Sequence, residues 1–197
     1  EELPVLINLA SLISDNDTFI DIGANVGIYS ATLSRISNVL KNVRFYAFEA
    51  NPDTFSRLDF NSKNNNFQAS NLAVSDINGI LEFVSGAVSH VFTTLENKSE
   101  YNFSKEIISV EASRLDRLPI EGDSIILKID VEGQEMNVLE GSTSLFKKNR
   151  IKAVYLDGFD DQNVISFLRR YDFTFRDGKT LEPVPGNTFN LLALKNS

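Results

Sequence analysis

The chain has no cysteine and a single histidine among its 197 residues. A disulfide framework and a thiolate metal site are therefore excluded, and any imidazole chemistry rests on His90. No apolar run approaches the length that crosses a bilayer, and Glu1-Glu-Leu-Pro4 has none of the features of a signal peptide. A cytoplasmic location is the expectation. The chain also opens on glutamate, which suggests excision from a longer protein. Positive charge is scarce, with 19 Lys and Arg against 27 Asp and Glu and a net charge of -8. A protein that grips a phosphate backbone usually presents a basic face. The densest cationic run, Lys147-Lys148-Asn149-Arg150, reads instead as a helix C-terminus meeting the negative end of its dipole. Nucleic acid is not expected as a partner.

What is present is a folding core: 42% hydrophobic residues and 15 phenylalanines, enough for one domain spanning residues 1–197. Its organising stretch is Thr18-Phe-Ile-Asp-Ile-Gly-Ala-Asn-Val-Gly-Ile-Tyr29. Phe19, Ile20 and Ile22 form a buried strand, Gly23 permits a sharp turn with close approach to a ligand, and Gly27 lets the next helix pack tightly. Asp21, Gly23, Ala24, Asn25 and Gly27 are the candidate cradle. The spacing Asp21-x-Gly23-x-x-x-Gly27 omits the middle glycine of the dinucleotide fingerprint. A carboxylate stands where a pyrophosphate would be repelled. S-adenosylmethionine (SAM) carries an ammonium and a sulfonium and no phosphate, so an acidic cradle favours it.

One strand later, Val43-Arg-Phe-Tyr-Ala-Phe-Glu49 ends in a carboxylate suited to accept hydrogen bonds from both ribose hydroxyls. Residues 1–17 hold an N-terminal helix (Leu3 to Ile13) and its turn. Further helices are expected from Ile28 to Val39, with Leu33 and Ile36 inward, from Asp53 to Asn61, from Gln134 to Phe146 and from Val164 to Arg170. Phe67 to Val74 reads as one strand, with Ala73, Val74 and Ser75 placed to face an adenine. Ile80–Val84 and Ile107–Glu111 are two more strands. Between them Ser85 to Glu106 is polar and without period, a candidate acceptor loop of small-molecule or glycan type. It contains His90, a candidate for acceptor binding or proton removal.

The second dense motif is Leu127-Lys-Ile-Asp-Val-Glu-Gly-Gln-Glu-Met-Asn-Val-Leu-Glu-Gly141. Ile125–Ile129 is a central strand and Asp130 sits at its carboxyl end, where ligands bind in open α/β sheets. Asp130 is a candidate for contact with cofactor or acceptor and for the general base. Lys128, inside an apolar strand, must be paired if buried. Glu132 and Glu135 read equally as ligand contacts and as an ion-pair network opening the next helix. Asp130, Glu132 and Asp157 are hard oxygen donors, so a divalent metal stays open. Capping and ion-pair roles are the preferred reading, and no residue is assigned as a metal ligand. Strands at Ile151–Asp157, Tyr171–Phe175 and Thr188–Leu194 complete a doubly wound, mostly parallel seven-stranded sheet with one reversed edge strand.

Asp21-Ile-Gly-Ala-Asn-Val-Gly27, Phe48-Glu-Ala-Asn-Pro52, Arg114-Leu-Asp116 and above all Leu127 to Gly141 resemble the FkbM-type SAM-dependent methyltransferases. The resemblance runs from about Thr18 to Leu194. It implies the Rossmann-like class I methyltransferase fold and O-methylation, often of sugar or natural-product hydroxyls. Ala50 departs from the family, which often has proline there, and so does Asp157, where the family often has glutamate. An O-methyltransferase is the leading expectation. A SAM-fold binding module without catalysis and a nicotinamide-dependent oxidoreductase are the alternatives.

Overall fold

A computed structural model describes residues 2–85, 92–94, 106–158, 162–186 and 188–196. Helix α1 (Leu3–Leu12) precedes β1 (Thr18–Ile22), α2 (Ile28–Ile36), β2 (Arg44–Glu49), α3 (Pro52–Ser62) and β3 (Gln68–Asn71). Then come β4 (Ala73–Val74), β5 (Gly79–Ser85), β6 (Phe92–Thr94) and β7 (Glu106–Ser113). The chain continues through β8 (Ile125–Ile129), α4 (Glu135–Gly141), α5 (Thr143–Lys147), β9 (Ile151–Asp157), α6 (Gln162–Arg170), β10 (Phe173–Asp177) and β11 (Asn190–Lys195).

Seven of the strands form a sheet in the order β10-β11-β9-β8-β1-β2-β3. Of these, β11 alone runs backwards, between β9 and β10 in the edge pair. The central strands β1 and β8 are buried at every position, as expected of a parallel sheet covered on both faces. One apolar layer, with Val138, Leu145, Phe146 and Leu168, lies under α4, α5 and α6. The other, with Leu6, Leu9, Leu33 and Leu58, lies under α1, α2 and α3.

The structure differs from the sequence reading at four places. The expected strand Phe67–Val74 is two strands. Its partner β2 ends at Glu49, and there the Asn71 amide donates to the Glu49 and Ala50 carbonyls at 2.8 and 2.9 Å. The chain then crosses at Leu72 into a second sheet ordered β4-β7-β5-β6. Within the expected loop Ser85–Glu106, Phe92–Thr94 is a strand paired antiparallel with Phe83–Ser85, too short to show alternation in sequence. The expected helix Gln134–Phe146 breaks at Ser142, whose hydroxyl bonds back to the Val138 carbonyl at 2.7 Å. Finally, α2 stops at Ile36, which is 51% exposed. Its buried side is Tyr29, Ser30, Leu33 and Ser34.

Candidate active site

The carboxyl ends of β1, β2 and β8 are gathered by backbone bonds. Gly23 and Ala24 N–H groups both donate to the Phe48 carbonyl at 3.0 Å, and the Asp130 N–H donates to Ile22 at 3.0 Å. Gly23 has φ +71°, and a Cβ there would stand 1.8 Å from the Asp130 carbonyl oxygen. No side chain fits in that gap. Gly27, at φ +84°, opens α2; a Cβ on it would meet Leu58 of α3 at 2.6 Å and Phe67 at 3.1 Å. Its smallness serves packing on α3 and the start of β3.

Above these strand ends lies a cavity of about 160 Å³. Gly23, Asn25, Glu49, Ala73 and Asp130 of the sequence candidates line it, with Val74 and Ser75. Glu49 is 7% exposed. Its Oε2 accepts the Asn25 N–H and its Oε1 the Asn51 N–H, each at 2.9 Å. Burial pushes its carboxyl above the usual glutamate value, although those two N–H groups and the Lys128 charge pull the other way. Each oxygen keeps acceptor capacity for a second donor. The wall also includes Thr54, Leu72, Leu81 and Gln134, none of which the sequence reading proposed as a site residue. Leu81 belongs to the second sheet, and nothing in its local sequence marks it.

Asp21, Ala24 and Gly27 are not part of the lining. Asp21 is fully buried, its Oδ2 accepting the Ser30 hydroxyl at 2.9 Å and its Oδ1 lying 3.2 Å from the Lys128 Nζ. Lys128, itself 3% exposed, reaches Asp130 Oδ2 at 3.4 Å and the Gly23 carbonyl at 3.2 Å, with its ammonium 5.2 Å from the centre of the Tyr29 ring. Burial works against that ammonium, but Asp21 and Asp130 outweigh it and hold the pKa above the usual lysine value. The buried lysine is paired, as its place in an apolar strand requires.

The turn after β8 places Glu132 at φ +47° and Gly133 at φ +91° in succession. Glu132 lines the cavity. Glu135, 2% exposed, lies outside the lining and accepts the Gly133 N–H at 3.0 Å. The Arg114-Leu-Asp116 motif is a clamp rather than a ligand site. Arg114 makes a two-point pair with Asp116 at 3.1 and 3.0 Å and donates to the Asp76 and Glu140 carbonyls, both at 2.8 Å. It ties the second sheet to α4, where a Cβ on Gly141 would stand 2.0 Å from the Ser75 carbonyl oxygen.

Next to Asp130 along the sheet stands Asp157, at the end of β9. Burial, then the Asp130 and Glu2 charges, push its carboxyl above the usual aspartate value. Asp130, Glu132 and Asp157 do not draw together into a cage; among the described residues no three acidic or histidine side chains meet in a metal-holding group. His90 and most of the expected acceptor loop lie outside the described residues. No helix among those residues is long and apolar enough to cross a membrane.

The profile of the methyltransferase FkbM domain matches residues 21–175, which spans both glycine turns and the strands between them. The chain belongs to the FkbM methyltransferase family. A hexuronic acid methyltransferase, AglP, of Haloferax volcanii is 29% identical over 159 residues, 78% of this chain and 62% of that protein. The chain thus spans under two thirds of that relative's length. An FkbM methyltransferase from Methylobacillus flagellatus superposes with a TM-score of 0.58 at 13% identity, covering 92% of this chain and 44% of that one. A precorrin-6y C5,15-methyltransferase from Geobacter metallireducens superposes with a TM-score of 0.52 at 16% identity, covering 99% and 88%. Those structures share the fold, the seven-stranded class I methyltransferase sheet.

Proposed function

We propose that this FkbM domain transfers a methyl group from SAM to a hydroxyl oxygen, with a sugar or related polyol as acceptor. The observation that carries the reading is the setting of Glu49. Its carboxylate is fixed by two backbone N–H groups and faces a cavity whose charged lining residues, Glu49, Asp130 and Glu132, are all acidic. Such a lining suits a cationic nucleoside with a free ribose diol and repels a pyrophosphate. In this reading Glu49 accepts both ribose hydroxyls, Gly23 and Asn25 pass under the cofactor, and Ala73, Val74 and Leu72 cover the adenine. Bound SAM supplies an electrophilic methyl on a sulfonium. The protein's task is alignment of an acceptor oxygen and removal of its proton.

Asp130 is the base in this reading, accepting the proton at a carboxylate oxygen that Lys128 holds in place. His90 is the second candidate. The relative that acts on a hexuronic acid supports a sugar as acceptor. The test is transfer of labelled methyl from SAM to glycans, small phenols and nucleic acid, alongside calorimetric titration with SAM and NAD. Label on glycans and binding of SAM alone are expected. Label confined to phenols or nucleic acid overturns the acceptor class, and binding of NAD alone overturns the cofactor.

A further inference from the structure

Among the described residues, seven other than glycine have a positive φ. Five of them, Asn16, Asn25, Asn42, Asn149 and Asp172, belong to the two types whose short polar side chains tolerate left-handed backbone. Glu132 and Leu181 are the exceptions. Leu181 turns the chain outside the cavity lining, its N–H donating to the Asp177 carbonyl at 2.9 Å, whereas Glu132 stands in that lining. The turn that carries Glu132 is closely defined. Glu132 and Gly133, at φ +47° and +91°, lie between Val131 and Gln134, and the Gln134 N–H closes on the Val131 carbonyl at 3.3 Å. Two positive φ values in succession are those of the mirror-image type I′ turn, a class dominated by glycine, asparagine and aspartate. Glu135 Oε1 fixes the bend by accepting the Gly133 N–H at 3.0 Å. Asparagine at position 132 would take this backbone at lower cost, and unfavourable backbone of this kind gathers where ligands are held.

We infer that Glu132 holds a positive charge of the methyl donor, its ammonium or its sulfonium, and so separates the donor from uncharged nucleosides. The inference rests on the SAM reading of the cavity. Three acids line that cavity, and two of them are engaged elsewhere. Glu49 is fixed on two backbone N–H groups and set toward the ribose hydroxyls, and Asp130 shares the Lys128 ammonium at 3.4 Å. Glu132 is the remaining acid of the wall. Its place on the turn directly after Asp130 keeps it at the same strand end as the base, and a cation between fixed carboxylates is held by charge as well as by hydrogen bonds. Glutamate carries its carboxylate one methylene further from the turn than aspartate does. That extra reach explains why a residue ill suited to the backbone occupies the position.

The experiment is calorimetric titration of the full chain with three ligands: SAM; S-adenosylhomocysteine, which keeps the ammonium and lacks the sulfonium; and 5′-methylthioadenosine, which lacks both. It is run on the wild type, Glu132→Gln and Glu132→Asn, with thermal melting in parallel. Glu132→Gln removes the charge and keeps the length of the arm. SAM affinity is expected to fall about fivefold or more in both variants, while that of 5′-methylthioadenosine stays within about twofold of wild type. Loss for SAM alone assigns the sulfonium, and equal loss for SAM and S-adenosylhomocysteine assigns the ammonium. Glu132→Asn, whose side chain suits the turn, is expected to melt at or above the wild-type temperature. Unchanged SAM affinity in Glu132→Gln overturns the inference alone, as does equal weakening of 5′-methylthioadenosine or a lowered melting temperature in Glu132→Asn. A wild type that binds none of the three ligands overturns the proposed function, and the inference with it.

Discussion

Two acidic glycine turns meet at the ends of β1 and β8, and their glycines are needed for different reasons. At Gly23 the neighbouring strand occupies the space of a side chain, with the Asp130 carbonyl 1.8 Å from where a Cβ would be. At Gly133 nothing lies within 4 Å, and the demand is only for φ +91°. The first turn is a steric joint between strands and the second is a backbone bend. The carboxylates at these strand ends divide as well: Asp21 is sealed against Lys128 inside the fold, whereas Glu132, and Glu49 at the end of β2, line the cavity. Acidic side chains thus join strands in one place and line the cavity in another.

The sharpest way to break this contrast is Gly23→Val. A branched side chain driven into the Asp130 backbone should cost about 4 kcal/mol or more, read by chemical denaturation as loss of the cooperative transition. A variant of ordinary stability that merely fails to bind SAM would move Gly23 from the assembly side to the recognition side. Lys128→Met should cost about 3 to 5 kcal/mol by stranding the Asp21 carboxylate. Adding Asp21→Asn should restore much of that loss, and a double variant no better than the single one would dissolve the pairing argument.

Glu49→Ala should leave the denaturation midpoint nearly unchanged while weakening SAM more than tenfold in calorimetry, because each charge-assisted bond is worth roughly 1.5 to 3 kcal/mol. The pH response sharpens the point. The folded carboxyl titrates above an ordinary glutamate, so the protein gains stability from Glu49 as pH falls through that raised pKa and loses it as pH rises. SAM needs the charged form, so its affinity should fall in the same acid window, and the variant should show no such fall. Smallest of all, Gly133→Ala should cost about 1 to 2 kcal/mol for a side chain in left-handed backbone, with SAM affinity within threefold. A collapse as large as that of Gly23→Val would erase the difference between the turns.

The main sheet was legible because its signals are local. Phe19, Ile20 and Ile22, then Ile125 to Ile129, read as buried strands from composition alone, and Lys128, a charge among isoleucines, announced that it needed a partner, though not that Asp21 on the next strand is one. The second sheet was not legible as a layer. Its strands β5 and β7 showed as separate apolar runs, but the crossing at Leu72 depends on where β2 ends, which is a fact about a neighbour. The break at Ser142 likewise depends on Gly141 lying against Ser75. Asp21 and Glu49 looked alike in sequence, each a carboxylate at a strand end. Only the register against Lys128 and the N–H groups of Asn25 and Asn51 separates them.

The arginine clamp bears on how such a domain diversifies. Arg114 holds the Asp76 carbonyl at one end of the second sheet, and Ala112 is paired with both Ala73 and Gly79, so the chain leaves and re-enters the main fold through one fastened gate. The described residues between Asp76 and Ser113 form an excursion whose mouth is closed by Arg114 and by the pairing of Ala112. Leu81, on β5, keeps one foot of the excursion in the cavity wall. Change within this segment therefore reaches the cavity through Leu81, with the strand ends of β1 and β8 left in place.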